Sequence, residues 1–277
     1  MTILRGKEPC ERMRADLKKR VEDLGRSPKL VIFSIDASFA SERYISKKCE
    51  FGERIGCDVY HRPLSSDLRE EELEEAIEEA SLNTHIDGIV VQLPVPVENA
   101  FRLLDCVSLR KDVDGLSARN VAALMRGEKC TIPAVTRGVC ELMDHYDIPC
   151  KGKEVCIIGE SFLVGRPTAL TLLRRGATVT VCHERTTDLK KHTRNADIVI
   201  SATGVIGLIT SDMITHRQTL IDIGTSISSR TGRVCGDVNA DALEKAKHAS
   251  PVPGGAGPLT VASLFCNLLE LVEDETV

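Results

Sequence analysis

The alternation of short strand-like runs with helical periodicity constrains this chain most. Strand-like runs stand at residues 30–35, 58–61, 88–93, 154–158, 178–182, 197–202 and 220–223. Several are almost purely apolar, and an apolar run too short for a helix and bounded by turn formers is the pattern of a strand covered on both faces. Between them the apolar residues recur every three or four positions. Cys10, Met13, Leu17, Val21 and Leu24 mark a first helix, and 41–55, stopped by Gly56, marks a second. Further helices are expected over 70–82, 98–107, 117–125, 137–146, from Gly165 to Arg175, and over 261–272. Strand and helix in alternation predict an α/β fold with parallel sheets. At 277 residues the chain suits two domains. We expect the first over 1–137, completed by a returning C-terminal helix within 257–277, and a Rossmann-like, doubly wound domain over 138–256.

Charge and cysteine usage remove several function classes. A net charge of -5 lacks the basic excess of a nucleic-acid binder. No apolar run approaches the roughly 20 residues that span a bilayer, and the first residues lack the apolar core of a signal peptide. The expectation is a cytoplasmic protein without nucleic-acid or membrane partners. Eleven cysteines are scattered from Cys10 to Cys266 with no Cys-x-x-Cys pair. That spacing offers neither a disulfide framework nor a metal-ligand set, so no metal site is expected.

Six segments carry candidate chemistry. Gly159-Glu160-Ser161-Phe162-Leu163-Val164-Gly165-Arg166-Pro167 joins a strand to a helix, where backbone N–H groups and the helix dipole meet a diphosphate. Glu184 follows the next strand, where an acidic residue accepts hydrogen bonds from an adenosine ribose. With Glu160 it favours NAD over NADP, while Arg166 and Arg185 stand near enough in sequence to offset that charge. Tyr44 and Lys48, four apart on a helix, project from one face. Short-chain dehydrogenases use this spacing, but there the pair follows the dinucleotide motif, and here it precedes it. Gln92 ends an apolar run where α/β sheets place ligand contacts, and a buried amide needs a partner. The loop Lys111-Asp112-Val113-Asp114-Gly115 offers two carboxylates, either able to bind an amino-pyrimidine edge. Finally, Pro251-Val252-Pro253-Gly254-Gly255-Ala256-Gly257-Pro258-Leu259-Thr260 is a rigidly shaped loop, either a connector or a ligand clamp.

Taken in order with Gly236-Asp237-Val238, these strings resemble the methylenetetrahydrofolate dehydrogenase/cyclohydrolase family over essentially the whole chain. The resemblance implies a folate-binding domain and a dinucleotide domain, with NADP or NAD as cofactor. It implies oxidation of 5,10-methylenetetrahydrofolate to the methenyl form, then hydrolysis to 10-formyltetrahydrofolate. Lys48 would be the catalytic lysine, Tyr44 would stack on folate, Gln92 would hydrogen-bond Lys48, and Asp114 would hold the pterin edge. Ser41, Pro253, Gly254 and Gly255 would also border the folate. Cofactor contacts would come from Gly159, Glu160, Ser161, Val164, Gly165, Glu184, Arg185, Thr203, Gly204, Gly224, Thr225 and Thr260. A homodimer through the dinucleotide domain is implied as well. The chain departs from the family's usual strings at Val135, which lacks a hydroxyl expected near the nicotinamide, at Glu160 and Glu184, which replace basic or small groups, and at Asp222-Ile223-Gly224-Thr225-Ser226. Those departures motivate two other readings, a monofunctional NAD-dependent dehydrogenase and a noncatalytic folate or nucleotide sensor.

Overall fold

The computed structural model describes residues 1–274, so the last three residues of the C-terminal segment lie outside the described residues. In chain order the elements are β1 (Thr2–Ile3), α1 (Lys7–Leu24), β2 (Lys29–Ile35), α2 (Phe39–Ile55), β3 (Asp58–Leu64), α3 (Glu70–Leu82) and β4 (Gly88–Val91). Then come α4 (Ala100–Asp105), α5 (Ala118–Arg126), α6 (Ala134–His145), β5 (Glu154–Ile158), α7 (Gly165–Arg174), β6 (Thr178–Cys182), α8 (Leu189–Asn195) and β7 (Ile198–Ser201). The chain closes with β8 (Thr219–Asp222), β9 (Ser226–Ile227), β10 (Val234–Cys235), α9 (Ala240–Lys245), β11 (His248–Ser250) and α10 (Gly257–Asp274).

Two compact units emerge. One comprises Arg12–Ala134 with the C-terminal helix from Val261 onward. Its sheet is parallel, in the order β3-β2-β4. The central strand β2 is buried from Leu30 to Ile35, which is why its sequence is continuously apolar. β3 runs three residues past the expected 58–61, through Pro63. An edge strand has one side free of ladder bonds and tolerates proline there. Leu17, Val21, Ile45, Ile55, Phe265, Leu268 and Leu269 form the core with β2 and β4, and Phe51 stacks on Phe265 at 5.4 Å. Buried Asn267 donates through Nδ2 to the carbonyls of Val113 and Ile132, each at 2.9 Å. That bond pair ties α10 to the loop carrying Asp112 and Asp114.

The other unit comprises Met1–Glu11 and Val135–Thr260. Its six strands are all parallel, in the order β1-β11-β8-β7-β5-β6, and a separate antiparallel hairpin pairs β9 with β10. Residues 1–11 therefore stand with the dinucleotide-type sheet, whereas the sequence suggested the first domain. The reason is a nonlocal pairing: Thr2 lies beside His248 and Ile3 beside Ala249. Two residues are too short for any periodicity to reveal. Likewise α10 starts four residues before the expected 261, at Gly257. Pro258 falls in its first turn, where a missing N–H costs no intrahelical bond. The core of this unit gathers Cys156, Ile158, Cys182, Val199, Ile209, Leu220 and Ala249. Among the described residues no helix is long and apolar enough to cross a membrane.

Candidate active site

In the three-stranded unit the site is made of side chains. Ser38 caps α2, accepting from the Ser41 backbone at 3.2 Å, and Gly56 closes the helix at φ 89°. Within that rigid span Tyr44 is 39% exposed and Lys48 only 8%, one turn apart. Buried Lys48 donates from Nζ to Gln92 Oε1 at 3.0 Å. Gln92 follows β4 directly. Its backbone N–H bonds Phe33 O at 2.8 Å, and its Nε2 donates to Leu93 O at 2.9 Å. With the amide nitrogen committed to the main chain, Oε1 faces the lysine, so the amide orientation is dictated by the network. The Lys47 ammonium sits 5.5 Å from the Tyr44 ring centre. Ser41 is buried, its hydroxyl 3.1 Å from that of Ser38, so it serves the cap.

The two carboxylates of the Lys111–Gly115 stretch divide their duties. Asp112, 4% exposed, accepts from the backbone of Gly115, Leu116 and Ser117 at 2.9, 3.2 and 2.8 Å. Burial raises its pKa, and the bonds from Ser117 and Leu116 oppose that rise. Half-buried Asp114 shows no such bonds among the described residues and stands as the candidate carboxylate of the pair. The sequence alone left either aspartate eligible.

In the six-stranded unit the candidate cofactor site is bare backbone. Gly159 follows β5 at φ 109°, where a side chain would come 2.5 Å from Ala202 O, and a side chain on Gly165 would strike the Gly159 carbonyl. Only glycine allows this turn, and it leaves a cradle open to a diphosphate. Ser161 Oγ accepts from Val164 and Gly165 N–H at 3.3 and 3.4 Å, holding the turn onto α7. Exposed Glu160 lies 3.5 Å from Arg166, and exposed Glu184 lies 3.9 Å from Arg185, in the loop after β6. Val135 is half-buried in the first turn of α6, beside buried Thr136, whose hydroxyl meets that of Thr168 at 3.0 Å.

Thr203, Gly204, Gly224 and Thr225 stand beyond the carboxyl ends of β7 and β8, where open α/β sheets bind ligands. Two buried acids, quoted from the sequence only inside longer strings and given no role there, support them. Asp237 Oδ2 accepts from Ser201 Oγ, Thr203 N and Thr203 Oγ1 at 2.8, 2.7 and 2.9 Å. Asp222 accepts from the backbone N–H groups of Gly224, Asp237 and Val238 at 3.0, 3.2 and 3.0 Å. Burial pushes the Asp222 carboxyl up to about 6, with the Asp237 charge adding to the rise and the three amides opposing it. An acid ending an apolar run and a Gly-Asp pair were the signals available for them.

The proline-glycine loop belongs to this same unit. Gly254 holds φ 105°, Gly6 N donates to Gly254 O at 3.0 Å, and Gly255 N donates to Pro251 O at 2.8 Å. Pro253 and Gly254 are exposed, but Gly255 is buried, with Ser250 Oγ filling the space a side chain would need. Of the three residues expected to border folate in this loop, Pro253 and Gly254 therefore present a surface and Gly255 packs inward. Thr260 lies half-buried in the first turn of α10. No group of three or more His, Cys, Asp or Glu side chains able to hold a metal occurs among the described residues.

Residues 4–114 match the family model for the tetrahydrofolate dehydrogenase/cyclohydrolase catalytic domain, and residues 133–276 match the model for its NAD(P)-binding domain. The bifunctional protein FolD of Aquifex aeolicus is 42% identical over 275 residues, covering 97% of this chain and 94% of its own. The crystal structure of the bifunctional FolD methylenetetrahydrofolate dehydrogenase/cyclohydrolase from Campylobacter jejuni superimposes with a TM-score of 0.95 at 33% identity, covering 99% of each chain. The Trypanosoma brucei dehydrogenase-cyclohydrolase, solved with NADP and an inhibitor, gives 0.93 at 30% identity, covering 100% of this chain and 98% of its own. With both of its halves matched and relatives this similar along nearly its full length, the chain belongs to the tetrahydrofolate dehydrogenase/cyclohydrolase family.

Proposed function

We propose that this chain oxidises 5,10-methylenetetrahydrofolate to the 5,10-methenyl form with a nicotinamide dinucleotide, then hydrolyses that product to 10-formyltetrahydrofolate. The observation that carries the reading is the 3.0 Å bond between buried Lys48 and Gln92, in a chain with both family domains. When bound, the nicotinamide supplies the hydride acceptor for the methylene carbon. The chain's own residues bind, orient and move protons. Tyr44 lays its ring against the folate, and Asp114 accepts the N–H edge of the pterin. In hydrolysis, water adds to the carbon of the methenyl cation and gives up both protons as its oxygen becomes the formyl carbonyl; one leaves to solvent, and the other reaches N5 as its bond to that carbon opens. Lys48 Nζ is the group assigned to carry that proton, its direction held by Gln92 Oε1.

The turn of Gly159, Ser161, Val164 and Gly165 is assigned to the diphosphate. Thr203, Gly204, Gly224, Thr225 and Thr260 are assigned to the nicotinamide end. Exposed Pro253 and Gly254 take a folate contact. Between the two dinucleotides we favour NAD, because Glu184 offers a carboxylate to ribose hydroxyls and would repel a 2'-phosphate, and Glu160 adds charge of the same sign. Self-association as a homodimer through the dinucleotide unit completes the reading, with the longer of the two edge strands, β6, as the sheet edge proposed to pair.

Purified protein given methylenetetrahydrofolate with NAD or with NADP tests this directly. Nicotinamide reduction faster with NAD is expected, with methenyl absorbance that rises and then decays. Failure to reduce either dinucleotide overturns the dehydrogenase reading, and methenyl product that persists overturns the cyclohydrolase reading. Sedimentation at micromolar concentration checks the dimer.

A further inference from the structure

Asp222 and Asp237 are each 1% exposed, fifteen residues apart in sequence, and neither belongs to the residues assigned to the reaction above. Their surroundings have a reciprocal geometry. A side chain built on Gly224 would lie 1.9 Å from Asp237 Oδ1, and one built on Gly236 would lie 2.0 Å from Asp222 Oδ2. Each carboxylate thus occupies the Cβ space of a glycine in the other's loop. Neither can swing aside freely. Asp237 is held by the three bonds from Ser201 and Thr203, and Asp222 by the three backbone N–H groups of Gly224, Asp237 and Val238. Asp237 Oδ1 has no hydrogen-bond partner among the described residues. Its position is explained by the fit over Gly224 and by what Oδ2 must reach.

We propose that Asp222 and Asp237 are positioning residues for the nicotinamide cofactor, an interlock that holds the backbone of residues 203–204 and 224–225 at the height where the cofactor meets it. The proposal rests on the assignment of Thr203, Gly204, Gly224 and Thr225 to that cofactor. Three segments that the chain alone does not connect are fastened at one point: the end of β7, the end of β8, and residues 236–238 after β10. Because Asp237 grips Thr203 by both its backbone N–H and its hydroxyl, moving that carboxylate moves the 203–204 backbone directly. Gly224 is needed here for space. Its backbone dihedral is not left-handed, so an alanine would meet no obstacle of conformation.

The test uses the full chain, with NAD, or with NADP in its place where the wild type reduces only that; if the wild type reduces neither, the functional reading falls and this proposal with it. Asp237→Ala is expected to raise KM for NAD by about tenfold or more, since a buried anchor for three donors is removed. Hydrolysis of methenyltetrahydrofolate, assayed without dinucleotide, should stay within about twofold of wild type, because only a local backbone height has changed. Gly224→Ala alone should weaken NAD, and combined with Asp237→Ala it should do no further harm, because the methyl enters space the carboxylate has left. The proposal is overturned if Asp237→Ala leaves KM for NAD unchanged, if hydrolysis falls in parallel with NAD use in a folded variant, or if the two substitutions multiply. Should Asp237→Ala not fold, Asp237→Asn decides. It keeps one acceptor oxygen for Ser201 and Thr203 and should raise KM by a few-fold, whereas an unchanged KM overturns the proposal.

Discussion

The two candidate sites of this chain are built of different materials. In the three-stranded unit, the atoms proposed for chemistry lie at the tips of side chains: the Tyr44 ring, Lys48 Nζ, Gln92 Oε1 and the Asp114 carboxylate, carried by α2, by the end of β4 and by one loop. In the six-stranded unit the candidate contacts are mostly main chain, at Gly159, Gly165, Gly204 and Gly224, with buried Asp222 and Asp237 packed against that backbone. A side-chain site does chemistry, because lysine and carboxylate can hold and pass protons. A backbone site does binding, because amides pressed close to a flat, anionic ligand orient it without reacting. The same element, an aspartate caged by amides, serves both. Asp112 shapes its loop so that Asp114 remains free, and Asp222 shapes its loop so that Gly224 remains bare.

If this division is right, substitutions in the two units will fail in different ways. The largest effect is expected from Lys48→Met, which should cut methenyl hydrolysis roughly 100- to 10,000-fold while folate still binds, as measured by absorbance decay and ligand titration. Unchanged hydrolysis would move proton transfer elsewhere.

A second test uses pH. An unfolded aspartate releases its proton near 3.8, and Asp222 holds its own up to about 6 in the fold. The folded chain therefore binds more protons across that window, so this group makes the protein more stable as pH falls from 7, by about 1 kcal/mol at pH 5 and approaching about 3 kcal/mol only below the unfolded value. Urea unfolding of wild type and of Asp222→Asn at several pH values reads the term as a difference in slope. An identical slope would show that Asp222 titrates normally.

Next, Gly165→Ala should weaken dinucleotide binding about tenfold or more, because its methyl must displace the Gly159 carbonyl. Quenching or enhancement of bound nicotinamide fluorescence measures this directly. The smallest effect is expected from Glu184→Lys, an exposed charge reversal that should shift preference towards NADP by something on the order of tenfold. An unmoved ratio of kcat/KM values would remove Glu184 from the ribose site.

Much of this was legible before the structure. The apolar run ending in Gln92 read as a buried strand because both faces of β4 are covered, and β5 and α3 fall at the expected residues. Tyr44 and Lys48 were legible as a pair because helix periodicity sets their common face. Three things were not. Proline and glycine concealed the start of α10, since the signals that end most structures are tolerated in a first helical turn. Gly255 looked like Gly254 in sequence, yet one fills a packed corner against Ser250 and the other is exposed. Asp222 and Asp237 looked like ordinary acids until their burial and their six hydrogen bonds were known.

By itself, the sequence determined whatever depends on neighbours along the chain: strand and helix alternation, the glycine turn after β5, and which residue types were available for proton transfer. Tertiary structure decided what depends on partners distant in sequence. It placed β1 beside β11, turned Lys48 onto Gln92, released Asp114 by capturing Asp112, and set each buried carboxylate over the other loop's glycine. The physical reason is range. Backbone propensity and periodicity act over a few residues, whereas burial, desolvation and hydrogen-bond satisfaction are settled only when remote segments meet.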